Sequence, residues 1–172
     1  MKAKFRRAGL LAAALMIVAA LMTACGGPKA DISVFMMFPQ NSPFNKQDEL
    51  KNALQAKLGE TPTVTFSVSP IFEPQKMIVE LAAGDHGIFV LPKDQFDAFK
   101  QEDGMIDLGD TLKKEDFPEG VHNGTLVGIP LKDTKLLKDA GYKGEEVVAF
   151  ITVRVKDKEV KAKQVLKAMA EK

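Results

Sequence analysis

The chain is poor in the residues that small folds most often use for covalent stapling or for reaction chemistry. It has one cysteine, one tyrosine, two histidines and no tryptophan. One thiol cannot make an internal disulfide, so the fold must hold through packing alone. There is no Gly-x-Ser-x-Gly elbow to present a nucleophilic serine. Gly124-Thr125-Leu126-Val127-Gly128 is followed by Ile129 and Pro130, so the Lys-Ser/Thr of a phosphate-gripping loop is missing and the stretch reads as a turn into a strand. A zinc site takes three or four ligands. His86 beside Asp85 and the solitary His122 read instead as turn and loop residues. The acids between Glu102 and Glu119 lack calcium-loop spacing and are interrupted by Lys113 and Lys114. No catalytic set, metal or cofactor is expected, and an enzyme is not.

A long hydrophobic run is also missing. The uninterrupted apolar stretch is Leu10–Met22, 13 residues. As a helix it would reach about 20 Å, short of the roughly 30 Å hydrocarbon core. Lys2, Lys4, Arg6 and Arg7 precede it, and no acid occurs before Asp31. A basic leader, a short apolar core and small residues describe a secretory signal peptide, with an uncleaved anchor as the alternative. The stretch Leu21-Met22-Thr23-Ala24-Cys25-Gly26-Gly27 resembles the export signal of bacterial lipoproteins. The resemblance implies cleavage before Cys25, a diacylglycerol thioether on it, palmitate-type acylation, and residence on the outer face of a cell membrane. The expected division is residues 1–24 as signal peptide, 25–30 as lipidated tether and 31–172 as a single domain.

The chain carries +1 at neutral pH, and without its four leader cations it carries −3. That balance lacks the basic footprint of nucleic-acid binding. About 148 residues remain, enough for one core.

Ile32–Phe38 is almost continuously apolar and reads as a strand buried on both faces. A helix is expected over Lys46–Leu58, capped by Asn45 and stopped by Gly59. Thr63–Ser69 alternates and reads as an edge strand. Pro74 opens a helix to Ala83, with Met77, Ile78, Leu81 and Ala82 expected inward. Ile88–Leu91 reads as a short buried strand, Asp94–Glu102 as a helix and Met105–Leu108 as a further strand. Thr125–Ile129, a turn or two of helix in Lys132–Gly141, and a long strand over Val147–Val155 follow. The closing helix from Lys158 places Ala162, Val165, Leu166 and Met169 on one stripe. Its lysines read as a polar face, with attraction to an anionic leaflet as an alternative. Alternation of this kind predicts an α/β fold, a mostly parallel sheet flanked by helices, with an antiparallel strand near the end.

Met77-Ile78-Val79-Glu80-Leu81-Ala82-Ala83-Gly84-Asp85 leads directly into Ile88–Leu91, and Asp94-Gln95-Phe96 and Gly104-Met105-Ile106-Asp107-Leu108 follow. With the lipobox and the closing Val148–Val155 strand, this order resembles the first lobe of the extracytoplasmic solute-binding proteins of ABC importers. The resemblance covers about 120 residues. It implies one lobe of a type II periplasmic binding protein, a non-catalytic ligand- or partner-binding role, and a membrane permease as possible partner. The second lobe of that family has no counterpart, because only about 15 residues separate Pro130 from the final strand. A structural lipoprotein of the envelope is the alternative.

Ligands of parallel α/β sheets settle beyond the carboxyl ends of the strands. Here those ends carry Gln40-Asn41-Ser42, Ser69 and Lys93-Asp94-Gln95. Asn41, Ser42, Ser69 and Lys93 are the candidate residues for a small polar or anionic ligand.

Overall fold

The computed structural model describes residues 29–102 and 104–172. The expected signal peptide and Cys25 lie outside the described residues. Five strands form one mixed sheet. β1 (Ile32–Met37) runs parallel to β2 (Val64–Ser69) and to β3 (Ile88–Pro92), with Val34 opposite both Phe66 and Ile88. β7 (Val147–Phe150) is antiparallel to β3, and β6 (Ile129–Pro130) is antiparallel to β7. The fold is therefore α/β. Its three leading strands are parallel, and the late strands reverse. A separate ribbon pairs β4 (Val121–His122) with β5 (Thr125–Leu126). Its turn is made by Asn123 and Gly124, both at positive φ, which suits a tight hairpin.

The run that suggested a doubly covered strand is one. Ile32, Val34, Met36 and Phe38 enter a core with Leu50 and Leu54 of α1 (Gln47–Leu58) and with Ala162, Val165, Leu166 and Met169 of α5 (Glu159–Met169). Phe35 and Met37 enter the opposite core with Phe89, Leu91, Phe96, Val148 and Phe150. α2 (Pro74–Ala83) and α3 (Lys93–Phe99) lie on this second side, and α4 (Lys135–Asp139) joins the first. Each fully buried side chain of this size contributes about 1.5–3 kcal/mol, so the two cores need no disulfide.

Several expectations change. Ile78 is exposed and so is Ala82, whereas Met77 and Leu81 pack partly against the second core. The cause is Glu80, which takes an inward position to bond His86. The helix over Lys46–Leu58 has no side-chain cap from Asn45. Met105–Leu108 makes a single bridge, Met105 to Thr152, and no strand. Thr125–Ile129 splits into two short strands. The β-branched stretch after Phe150 leaves the sheet, and Val153–Lys158 forms 3-10 turns broken by a kink at Lys156, where φ is positive. Among the described residues, no helix is long and apolar enough to cross a membrane.

Candidate functional site

Because β1, β2 and β3 are parallel, their carboxyl ends open at one end of the sheet, at Met37, Ser69 and Pro92. The loops that follow enclose a cleft of ≈ 330 Å³. Gln40, Asn41, Phe72, Asp94, Gln95 and Glu145 supply its polar wall and its one aromatic surface.

The cleft rests on an aromatic cluster. Phe38, from the end of the β1 run, lies 4.9 Å from Phe44 and 5.0 Å from Tyr142 between ring centroids. Phe44 meets Tyr142 edge-on at 5.3 Å. The Tyr142 hydroxyl donates to the Glu145 carbonyl at 2.7 Å, fixing the loop that carries the Glu145 carboxylate to the rim. Burial is the main reason the phenol's pKa is pushed up to about 12; the carboxylates of Glu145 and Glu146 add to it. Gly144 is required at this point: a Cβ there would lie 2.5 Å from both Ser42 Cβ and the Tyr142 hydroxyl oxygen. Behind the rim, the Glu146 carboxylate accepts from the backbone N–H groups of Leu131, Lys132 and Val147, at 3.0, 2.8 and 3.1 Å. Its pKa is nevertheless raised, because burial outweighs those bonds. The Glu146 carbonyl accepts from the Lys93 N–H at 3.0 Å, stitching β3 to the same loop.

Asn41 lies in the cleft, and its Nδ2 donates to the Glu145 carboxylate. Ser42 sits beside it against Gly144, with its hydroxyl donating to Asn41 Oδ1 at 3.4 Å. Ser69 is fully buried, and its hydroxyl donates to Glu73 at 3.4 Å. The Lys93 ammonium is held on Asp97 one helical turn on, at 2.5 Å, and that bond is the main cause of its raised pKa. The structure thus brings Asn41 and Ser42 together at the rim and turns Ser69 and Lys93 away from it. Phe72 and Glu145 were not foreseen. The first follows a buried strand end, and the second comes from a loop over 100 residues away in sequence. Only the Tyr142-Lys143-Gly144 turn ahead of Glu145 hinted that this loop is held in place.

The lining holds two carboxylates and three carboxamides, and no basic group among the described residues. Its two carboxylates, both exposed, repel anions and attract cations. The amides and acids also suit the paired donors and acceptors of hydroxyl groups.

A larger hollow of ≈ 670 Å³ lies at the opposite end of the sheet, between Lys29, Ser33, Lys51, Glu60, Asp85 and Lys158. It opens where the described chain begins. The rim cleft is the better-constructed site, since its walls are fixed by the Tyr142 and Glu146 bonds.

One further constellation resembles a catalytic triad by distance. Ser33 Oγ is 2.7 Å from His86 Nδ1, and His86 Nε2 is 2.9 Å from Glu80 Oε2. The imidazole packs on Phe35 and Phe89, with centroids at 5.0 and 5.7 Å. The nearby Gly87 N–H is already committed to the Ser33 carbonyl at 2.9 Å, so it is not available to an oxyanion. The chain joins β1 to α2, which buries no residue fully. Its geometry is that of a polar bolt for a loosely packed helix. Among the described residues, no group of His, Cys, Asp and Glu could hold a metal ion.

Fold and cleft define an α/β domain with a polar pocket at the carboxyl ends of its parallel strands. No protein-family model matches the chain. No curated protein matches it either. Among solved structures, an ABC substrate-binding protein from Listeria monocytogenes, in complex with cycloalternan, aligns with a TM-score of 0.41 and 18% identity. The alignment covers 58% of this chain and 28% of that one, so this chain spans little more than a quarter of that protein's length.

Proposed function

We propose that the protein is a lipid-anchored, extracytoplasmic binding module without catalytic activity. Cys25 carries the lipid, and residues 31–172 bind a small polar ligand, uncharged and hydroxyl-rich or cationic, at the strand-end rim. A neighbouring membrane protein, such as an importer permease, is the partner to which the bound ligand would be presented. The observation that carries this reading is the cleft itself: Gln40, Asn41, Asp94, Gln95 and Glu145 converge beside Phe72 with no basic side chain among them. The anionic ligand expected from the strand-end residues is disfavoured by that lining, because Lys93 is held on Asp97.

Titration calorimetry against neutral sugars, polyols, amino acids and polyamines tests the reading. Binding that is lost in Asn41→Ala and Glu145→Ala supports it. Binding that survives both substitutions, or absence of binding across the panel, sinks it.

The second reading, an envelope lipoprotein with no small ligand, draws on the Asn41–Glu145 hydrogen bond, which already links two walls of the cleft. It anticipates silence in the same panel together with a protein partner captured by crosslinking.

A further inference from the structure

The two ends of the sheet differ in kind. At the end opposite the cleft, the chain enters β1 through Lys29, whose ammonium lies 3.3 Å from the Asp85 carboxylate beyond α2. Cys25 is four residues upstream, so an acyl group there is tied within about 14 Å of this end. The 3-10 segment and the start of α5 close the same end: Arg154, Lys156 and Lys158 line one hollow with Asp85 and His86. Val153, the first residue of that segment, and Val160, in α5, are 60% and 80% exposed.

Not every cation at this end has an ion-pair partner. Lys29 pairs with Asp85, Lys161 with Asp31, and Glu159 with Lys163. Arg154 donates to the Ala82 carbonyl and keeps its charge. Among the described residues, Lys156 and Lys158 hold no ion pair; Asp157 lies beside them, and Glu60 shares the larger hollow with Lys158 and Lys51. Exposed β-branched apolar side chains among cations free of ion pairs are the composition of an interfacial contact.

We infer that this end of the domain rests on an anionic lipid bilayer, with Val153 and Val160 at the headgroup boundary and Arg154, Lys156 and Lys158 on the anionic headgroups. The inference rests on the lipid anchor at Cys25. It deepens the proposed function by giving it an orientation, since the ligand cleft then faces away from the membrane. β1 is six residues long, which separates the two ends by roughly 20 Å. A second copy of the chain or a protein partner is the competing occupant. The short tether favours the bilayer, because it holds this end beside lipid before any encounter.

The test uses the full acylated protein in vesicles containing phosphatidylglycerol. Cysteines introduced by Val153→Cys and, at the rim end, Asn45→Cys carry an environment-sensitive fluorophore, and a quencher is placed on the lipid headgroups. The acylated Cys25 takes no label, so one fluorophore per chain confirms the lipid. Quenching is expected at position 153 and not at position 45, and it should fall as salt is raised. Each basic residue near an anionic leaflet strengthens attraction roughly fivefold, so Lys156→Gln with Lys158→Gln should lower the docked-to-free ratio roughly 25-fold. Protein that floats with the vesicles but shows equal quenching at both positions, or emission at 153 shielded without lipid quenching, overturns the docking and leaves the anchor standing. Protein that does not float overturns both.

Discussion

Tyr142 offers a direct reading of whether the loop under the cleft is built as described. The perturbation is alkaline pH. The phenol is buried against Phe38 and Phe44, and its hydroxyl donates to the Glu145 carbonyl at 2.7 Å. Ionisation would place a negative charge in that apolar cluster and turn the donor into an acceptor facing a carbonyl. Burial foremost, with Glu145 and Glu146 nearby, therefore pushes its pKa from 10.0 up to about 12. A group whose folded pKa lies above its unfolded value favours the fold below the unfolded pKa, and that contribution is lost as pH rises through the folded one. Stability should thus fall between about pH 10 and 12, and Tyr142→Phe should flatten that decline. At neutral pH the same substitution removes one neutral hydrogen bond, worth about 0.5–1.5 kcal/mol. The assay is simple because the chain has no tryptophan and no other tyrosine, so tyrosinate absorbance reports this residue alone. A titration midpoint near 10 while circular dichroism stays native would refute the buried, bonded phenol and with it the fixed position of Glu145.

Three further outcomes are expected. Gly84→Ala would set a Cβ 2.4 Å from the Glu80 carbonyl oxygen and 2.7 Å from the His86 ring; overpacking should cost about 1–3 kcal/mol in urea unfolding, and less in a His86→Ala background. Equal cost in both backgrounds would deny the approach to His86 and leave the Glu80 carbonyl as the whole source of the cost. The Asp31 carboxyl is held down to about 2, chiefly by its bond to Lys161 and then by Thr63; its contribution is present above its ordinary 3.8 and lost as pH falls toward 2, so Asp31→Asn should remove that part of the acid limb, as acid unfolding followed by circular dichroism will show. A fluorophosphonate probe should leave Ser33 unlabelled, and stoichiometric labelling lost in His86→Ala would turn the polar bolt into an active site.

How much of this was legible follows from the range of the forces involved. β1 and β3 announced themselves because a strand covered on both faces must be apolar throughout. The stripe of Ala162, Val165, Leu166 and Met169 was readable because helix periodicity is local, and all four are fully buried. α2 misled because Ile78 fits an apolar stripe, yet the inward place went to Glu80, whose partner His86 is bonded in turn to Ser33 on another strand. No local pattern encodes that. The strand expected to continue to Val155 stops at Phe150, its last residue paired with β3; Thr152 bridges Met105 instead, and Lys156 turns to positive φ. The same holds at the cleft. The strand-end rule led to Asn41, while Phe72 and Glu145 arrive by tertiary contact, and Ser69 and Lys93 find partners one turn away in Glu73 and Asp97.

Backbone amide chemical shifts measured by NMR during titration with a neutral polyol and with a polyamine probe the binding role at its source. Shifts confined to residues 40–42, 72, 93–95 and 145, saturable and abolished in Asn41→Ala, are the predicted result. Shifts centred instead on the hollow bounded by Lys29, Lys51 and Glu60, or no response to either class of ligand, would contradict a binding site at the carboxyl ends of the strands.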